Sequence, residues 1–489
     1  MTTSKFIEVM TEKDTYTENG ALTNSTSHDA CLDLFFLAGA CRNEDEQNII
    51  NKLVCAYEQD KVKCLKIIFW AGDIRQGAGE RRFFKLALKW LNDNHKEDLE
   101  KYLSYVPEFS RWDVLFDLAN ENETVLNYIC ENIKTDSLLC KWLPRKSKVT
   151  DKHKKVSGDL TAIIRKKRIL YNGLAKKIQK KLGINEKEYR KLLVANTKVV
   201  ESQMCKKQWN EIKYENVPSI AMNKYNKAWY RNDEERFKAY IEEVKQGKTK
   251  INASAIFPHD ILKEALGGSW YSHRFLNEAQ IAQWNNLPNY LEGKENSIIP
   301  VCDVSGSMRG LPICISVALG LYISERNEGI FKDAFITFSA NPQMQYLKGN
   351  INERIKQLIH SDWDCNTNFI QVFELILNKA IQNKLSQDDI PKTILAISDM
   401  EFDEASYNEQ TNFEYIKDMF EKNGYKLPQL VFWNVNGRVN NLPITMKDEN
   451  VALISGASPS IIKAVLTDDI SPIKIMNNII ETERYSFIK

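Results

Sequence analysis

Both the fold and the candidate site are indicated by one stretch, Ile298-Ile299-Pro300-Val301-Cys302-Asp303-Val304-Ser305-Gly306-Ser307-Met308. Its apolar run stops at Asp303, and two serines follow at a spacing of two. This pattern predicts a buried strand whose end carries three oxygen ligands. Parallel α/β sheets place their sites beyond the carboxyl ends of the strands, so further ligands are expected after other apolar runs.

Two downstream residues are candidates for the remaining ligands. Asp399 is the first acid after the apolar run at residues 393–398, and Thr367 stands in a polar loop before the helical pattern that starts at Ile370. Two carboxylates and three hydroxyls, without His or Cys, suit a hard and partly hydrated ion, so Mg²⁺ or Mn²⁺ is expected and Zn²⁺ is not. The alternative is that Asp303 and Ser305 only cap the helix that follows.

This pattern resembles the von Willebrand factor A domain and its metal-ion-dependent adhesion site. That motif is Asp-x-Ser-x-Ser followed by a distant Thr and a distant Asp, and it is matched here by Asp303, Ser305, Ser307, Thr367 and Asp399. The resemblance implies that an acidic group of a partner protein fills the sixth coordination place. A divalent ion held by only two carboxylates keeps residual positive charge, which agrees with such a partner.

The same strand end lacks the features of two common catalytic sites. A haloacid-dehalogenase-type phosphatase needs a second Asp two residues after the first, and Ser305 stands at that position. No Gly-x-x-x-x-Gly-Lys-Ser/Thr loop occurs either. A metal-dependent nuclease or phosphatase would have to rest on Asp303, Asp399, Glu401 and Asp403, and no general base accompanies them. We therefore expect a protein that is not an enzyme.

The domain prediction is α plus α/β. Residues 1–30 are a polar segment, residues 31–290 an α-helical repeat domain of the solenoid (HEAT-like) type, and residues 297–489 a doubly wound domain that resembles the A domain. Strands are predicted near residues 298–302, 334–338, 393–398, 430–434 and 451–454. A helix is predicted from Gly310 to Ile323, and Pro459 is expected to open the last helix.

Composition places limits on the class of protein. Of the 489 residues 43% are hydrophobic, enough to bury real cores. Ten cysteines include no Cys-x-x-Cys pair, the start is polar, and no apolar stretch approaches the roughly 20 residues that span a bilayer. These features predict a reduced, soluble, cytoplasmic protein without a membrane partner.

Charge is distributed unevenly along the chain. Residues 301–489 hold 18 Lys and Arg against 24 Asp and Glu, whereas residues 141–190 hold 17 basic and four acidic side chains. The basic stretch favours a polyanionic partner, although a solvated helix face gives the same pattern. RNA, single-stranded or structured and non-coding, is the predicted partner.

Three local motifs supply candidate phosphate contacts. Arginines flank two glycines in the run from Gly72 to Arg82, cations accompany tryptophan in residues 141–145, and a basic amphipathic helix covers residues 164–182. An interhelical turn and helix packing are the structural alternatives for the first two. The predicted RNA-binding residues are Arg75, Arg81, Arg82, Lys141, Arg145, Arg165, Lys166, Lys167 and Arg168.

Several segments resemble a plant, fungal and giant-virus family catalogued as a domain of unknown function. They are Asp73–Arg81, Lys206–Trp209, Val217–Met222, Lys250–Ala253, Phe257–Asp260, Ser398–Asp403 and Gln429–Asn434. More distantly, helical repeats followed by an A domain are similar to the TROVE module of the Ro autoantigen, which implies RNA binding by architectural analogy. The leading hypothesis is thus a ribonucleoprotein scaffold with a cation site, and the alternative is a metal-dependent protein-interaction module that binds no RNA.

Overall fold

The described part of the chain folds into a largely helical N-terminal region and a six-stranded C-terminal sheet. The computed structural model describes residues 15–145, 159–266, 275–292, 297–338, 342–359, 368–403, 410–438, 440–467 and 470–489. For residues 159–167, 338 and 359 it describes the backbone alone. No helix formed by these residues is both long and apolar enough to span a membrane.

The helices of the N-terminal region are mostly short. They are α1 Ala30–Ala38, α2 Glu46–Gln59, α3 Lys61–Gly72, α4 Arg81–Asn94, α5 Lys96–Tyr102, α6 Val106–Phe109, α7 Glu123–Asn132, α8 Ser137–Trp142, α9 Asp159–Leu182, α10 Glu186–Asn196, α11 Val200–Cys205, α12 Ser219–Asn232, α13 Glu234–Lys245, α14 Pro258–Leu266 and α15 Glu278–Asn285. Side-chain caps begin many of them, as when Asp29 accepts a hydrogen bond from the Leu32 amide. The predicted helical character of this region is confirmed.

The C-terminal region alternates strands and helices. Its large sheet consists of β3 Ile298–Asp303, β4 Ala334–Phe338, β5 Gln343–Tyr346, β6 Thr393–Ser398, β7 Gln429–Asn434 and β8 Val451–Ser455. Two shorter strands near the N-terminus, β1 Thr15–Tyr16 and β2 Leu22–Thr23, pair as a separate antiparallel hairpin. The helices of the C-terminal region are α16 Leu311–Arg326, α17 Ile351–Ile359, α18 Ile370–Gln382, α19 Asn412–Lys422, α20 Ile462–Val465 and α21 Pro472–Ile480.

The strand order of the large sheet is β5-β4-β3-β6-β7-β8, and every pair except β4 with β5 is parallel. All five predicted strands are present. The sequence did not predict β5, an edge strand with three exposed residues out of four. Its alternation of polar and apolar side chains spans only four residues and none of them is buried, so it does not stand out from a loop. The strand order reverses between β3 and β6, and in such sheets the ligand crevice lies at this reversal.

One helix prediction was wrong. Pro459 opens a single 3-10 turn that leads into the four-residue α20, and the last α-helix begins at Pro472 instead. Both prolines stand at the first helical turn, where the missing backbone N–H costs nothing. A proline at a helix start therefore identified the element type but not which helix was last.

The chain forms two compact units. The first contains residues 1–83 and 215–489, and the second contains residues 84–214. In the first unit α1 and α21 pack on β8, and α14 packs on α16. This division by contacts differs from the predicted one at residues 290–297, because N-terminal helices share an apolar core with the sheet. The predicted domain limits themselves stay a prediction.

The second unit has its own core of helices. Leu174 and Ile178 of α9 are fully buried, as are Tyr189 and Leu193 of α10. Helix α9 contacts α7, and α10 contacts α8. The unit therefore carries enough buried apolar surface to be described as a compact body by itself.

Candidate metal centre

The two carboxylates of the candidate site lie at the ends of neighbouring strands. Asp303 is the last residue of β3, and Asp399 directly follows β6. Ser398, the last residue of β6, donates a hydrogen bond from its Oγ to Asp303 Oδ2 at 2.6 Å. Because β3 and β6 are hydrogen-bonded parallel neighbours, their carboxyl ends meet at the same edge of the sheet.

The two serines of the motif stand in the turn after β3. The backbone N–H of Ser305 donates to Asp303 Oδ1 at 2.9 Å, and the hydroxyl oxygens of Ser305 and Ser307 are 3.0 Å apart. Ser305 is buried, whereas Ser307 is exposed. The hydroxyls therefore form a short row that leads from the buried carboxylate toward the surface.

Burial dominates the electrostatics of the two aspartates. Asp303 is 0% exposed and Asp399 only 1% exposed. The pKa of Asp303 is raised to about 7, mainly by burial and to a smaller extent by the charge of Asp399. Burial also raises the pKa of Asp399, and the nearby Ser307 hydroxyl partly offsets this. Two carboxylates withdrawn from water and repelling each other form an environment that a cation stabilises.

One atom of the site has no hydrogen-bond partner. The buried Oδ2 of Asp399 accepts no hydrogen bond from the described residues, although Asp399 Oδ1 accepts one from the Glu401 amide at 3.3 Å. Met400, between the two acids, has φ of 68°, a left-handed conformation that non-glycine residues rarely adopt. An orphaned carboxylate oxygen beside a backbone outlier is typical of a functional site.

The next acid, Glu401, is already engaged. Its Oε2 accepts the backbone N–H of Glu18 at 2.6 Å, and its Oε1 accepts the Asn441 side-chain amide at 3.0 Å. Burial raises its pKa to about 7. Glu401 thus joins the N-terminal hairpin to the strand-end loop, a role that its sequence position did not indicate.

Four of the five predicted ligands are brought together, and the fifth is not described. Asp303, Ser305, Ser307 and Asp399 form the cluster above, while Thr367 lies outside the described residues. Sequence reasoning missed Ser398, whose only signal was a polar residue at the end of a buried strand. Within the described ranges no three His, Cys, Asp or Glu side chains converge as a metal cluster. A cation at this site would therefore need the serine hydroxyls as ligands in addition to the two carboxylates.

The predicted RNA-binding arginines near the two glycines lie in a turn between helices and at the start of the second helix. Arg82 Nη1 donates to the Cys41 carbonyl at 2.8 Å, and α4 begins at Arg81, as the interhelical-turn interpretation predicts. Arg75 is exposed and lines a cavity of the first unit.

The other predicted RNA contacts belong to the second unit. Lys141 forms an ion pair with Glu201 at 2.6 Å. Arg145 is exposed, and Arg168 is half-buried in α9. The side chains of Arg165, Lys166 and Lys167 lie outside the described residues. The charge of Lys141 is therefore compensated inside the fold.

Comparisons with known proteins give relatives of unknown function. The model of a family described as "Domain of unknown function (DUF2828)" matches residues 17–108 and 117–295, and that of "Domain of unknown function (DUF7788)" matches residues 297–484. An uncharacterized protein, L728, of Acanthamoeba polyphaga mimivirus is 25% identical over 521 residues, which cover 95% of this chain and 87% of the relative. The expected likeness to a giant-virus family is confirmed.

Among solved structures, the Ro (RSR) protein of Deinococcus radiodurans aligns with 98% of this chain and 94% of its own. The sequence identity is 14% and the TM-score 0.33. A superposition this loose carries no argument about function, so the likeness to A domains and to RNA-binding rings stays a prediction.

Proposed function

The chain belongs to the DUF2828 family of domains of unknown function, and we propose that it binds one divalent cation, Mg²⁺ or Mn²⁺, through Asp303, Ser305, Ser307 and Asp399. The observation that carries the proposal is the buried Asp399 Oδ2, which lacks a hydrogen-bond partner beside a second buried carboxylate. Removing a charged group from water costs several kcal/mol unless it is paired. A cation between the two aspartates supplies that pairing.

The ligand chemistry favours a hard ion. Carboxylate and hydroxyl oxygens suit Mg²⁺ and Mn²⁺, which keep several waters and use one or two carboxylates. Thr367 is the proposed fifth ligand. Because Ser307 is exposed, the ion would be accessible from its side, and an acidic group of a partner protein would complete the coordination there.

We assign the site a binding role and no catalysis. The acid closest in sequence, Glu401, has both carboxylate oxygens occupied by the Glu18 amide and the Asn441 side chain. A general base must reach the proton that it abstracts, and a carboxylate held in this way is already committed to structure.

Titration with Mn²⁺, followed by electron paramagnetic resonance of the free ion, tests the proposal. The full chain should bind one Mn²⁺ that Mg²⁺ displaces, and Asp303→Asn and Asp399→Asn should each lose that binding. Asp388→Asn, which changes an exposed aspartate in a 3-10 turn, is the matched control and should keep it. The absence of saturable binding by the folded wild type, or unchanged binding in both site variants, would refute the cation site.

A second proposed activity is RNA binding by the basic helical region. The 17 basic and four acidic side chains of residues 141–190 favour it, because each Lys or Arg that contacts a phosphate releases a counterion. Together with the cation site this would make the chain a ribonucleoprotein scaffold. Without it the chain would be a metal-dependent protein-interaction module.

A salt series with single-stranded RNA separates these two functions. If the scaffold proposal holds, the triple variant R165E/K166E/K167E should weaken binding and flatten the salt dependence, by roughly 0.7 in slope per lost phosphate contact. The triple variant K384E/K417E/K422E, on the acidic C-terminal region, is the control. Asp303→Asn should retain RNA but lose any Mg²⁺-dependent protein partner. Salt-independent binding, or none at micromolar protein, would leave only the interaction module.

A further inference from the structure

A cavity of about 660 Å³ lies in the first unit, and the proposed cation site uses none of its lining residues. Its wall is built from distant parts of the chain: the turn after α3, residues 254–255, Tyr290, the region of α20, and the end of α21 with the residues that follow. The volume falls within the roughly 300–1,000 Å³ of pockets that hold small molecules. This is therefore a concave site of ligand size made by tertiary structure.

Two cationic side chains lie in the wall of the cavity. Arg75 and Lys463 line it from two separate segments, and its described lining contains no carboxylate. The ammonium of Lys463 lies 5.0 Å from the centroid of the Tyr290 ring, which holds the cation at the wall. Among the described residues no Asp or Glu oxygen lies within ion-pair distance of Lys463, whereas many other lysines of the chain have such a partner.

The remaining polar groups of the wall are mainly neutral hydrogen-bonding groups. They include the side chains of Ser254, Ser460, Thr467, Asn478 and Thr482, and apolar surface comes from Ile461 and Ile479. Hydroxyls and an amide near two cations can bind both the oxygens of an anion and the hydroxyls of its organic part. A wall with these groups suits a ligand that combines a phosphate ester with a polar organic part.

The two cationic segments are held in place from behind. Asp73 Oδ1 accepts the backbone N–H of Arg75 at 2.9 Å, and Ser460 Oγ donates to the Gln76 carbonyl at 3.2 Å. Gly77 permits the turn, because a Cβ there would lie 1.9 Å from the Trp70 carbonyl oxygen. The loop that carries Arg75 is therefore tied directly to the segment that leads into Lys463. Such preorganisation lowers the entropy cost of binding.

We propose that this cavity binds a phosphorylated small molecule, with the phosphate between Arg75 and Lys463 and the polar organic part on the hydroxyls of the wall. Arginine supplies a planar fork for phosphate oxygens, and lysine supplies a point charge. The proposal is independent of the cation site, since no residue is shared between the two.

Isothermal titration calorimetry of the full chain tests it with four probes: ribose 5-phosphate, AMP, adenosine and ribose. Ribose 5-phosphate or AMP should bind, and the unphosphorylated adenosine and ribose should bind at least tenfold more weakly. Lys463→Ala, at an exposed position, should weaken phosphate-ester binding about tenfold, and Arg75→Ala should do the same. Lys417→Ala, an exposed helix lysine outside the cavity, and Asp303→Asn should leave it unchanged.

Any one of four outcomes would overturn the proposal. Neither phosphate ester binds at millimolar concentration; adenosine or ribose binds as tightly as its phosphorylated form; or Lys463→Ala changes nothing. Binding of a 5′-phosphorylated oligonucleotide without binding of either mononucleotide-sized ester also overturns it, because the occupant would then be a nucleic-acid end. If Arg75→Ala perturbs the turn, the Lys463→Ala result alone decides.

Discussion

Asp73 and Arg484 form an ion pair across 411 residues of sequence, with Arg484 Nη2 donating to Asp73 Oδ1 at 2.9 Å. Asp73 is fully buried, and it also accepts the Tyr485 hydroxyl at 3.2 Å. The end of α3 is thereby joined to the C-terminal 3-10 turn. Because the same carboxylate holds the Arg75 amide, the pair also supports one wall of the phosphate-ester cavity.

Breaking this pair should destabilise the first unit. Asp73→Asn leaves a guanidinium that is only 16% exposed without its counter-charge, so the free energy of unfolding should fall by about 3 kcal/mol. Urea unfolding of the full chain measures it. Lys238→Met, which breaks an exposed helix pair with Glu234, should lower the free energy of unfolding far less, because water screens an exposed ion pair. Equal losses in the two variants would contradict a structural role for Asp73.

The close approach of α1 to β8 predicts intolerance of a side chain at Gly39. A Cβ at this position would lie 2.6 Å from Ser455 Oγ and 2.7 Å from the Ser455 carbonyl oxygen. Gly39→Ala should therefore cost about 1–3 kcal/mol by overpacking, measured by denaturant unfolding. Gly173→Ala is the control, because its nearest neighbour is 3.7 Å away and alanine favours the helix by roughly 0.5–1 kcal/mol. An unchanged free energy of unfolding for Gly39→Ala would mean that α1 can shift away from β8 at no cost, which contradicts the prediction.

The N-terminal hairpin should protect the loop that carries Glu401. Thr17 Oγ1 donates to the Phe402 carbonyl at 2.7 Å and accepts the Ala21 amide at 2.9 Å. Thr17→Val removes both bonds at a buried position, so unfolding should become about 1–3 kcal/mol easier. Amide hydrogen exchange near residues 400–403 should also accelerate. Thr17→Ser keeps the hydroxyl and should exchange almost as slowly as the wild type.

His259 should make the first unit sensitive to acid. Burial lowers its pKa to about 4, Asp260 opposes this shift, and Arg42 and Lys263 add to it. A depressed histidine pKa means that the unfolded chain binds the proton first, so stability is full above pH 6.5 and is lost as the pH falls toward 4. The loss between pH 7 and pH 4.5 should be about 2 kcal/mol.

Denaturant unfolding of His259→Leu at both pH values checks this contribution. The variant removes the titrating ring at similar volume, so its stability should fall less on acidification than that of the wild type. Identical acid dependence in the two proteins would show that His259 is not the group responsible.

The sequence alone was sufficient to predict those strands and helices whose apolar residues form a recognisable local pattern. Each of the five parallel strands is a run of buried apolar residues, and such runs can be recognised without knowledge of their neighbours. The sequence also predicted that Asp303 and Asp399 lie at the same edge of the sheet, because both follow strands of a parallel sheet. That the two strands are neighbours came from the structure. Periodicity identified the helical character of the N-terminal region for the same local reason.

Only the tertiary structure decided which distant segments meet. Three features depend on single polar residues that are hundreds of positions apart in sequence. They are the ion pair of Asp73 with Arg484, the hydrogen bond from the Glu18 amide to Glu401, and the cavity around Lys463. A lone polar residue has no period, and its burial is determined by packing that the local sequence does not encode. For that reason residues 1–30 were predicted only as a polar segment, while the described residues from Thr15 onward are joined by hydrogen bonds to the loops of the sheet.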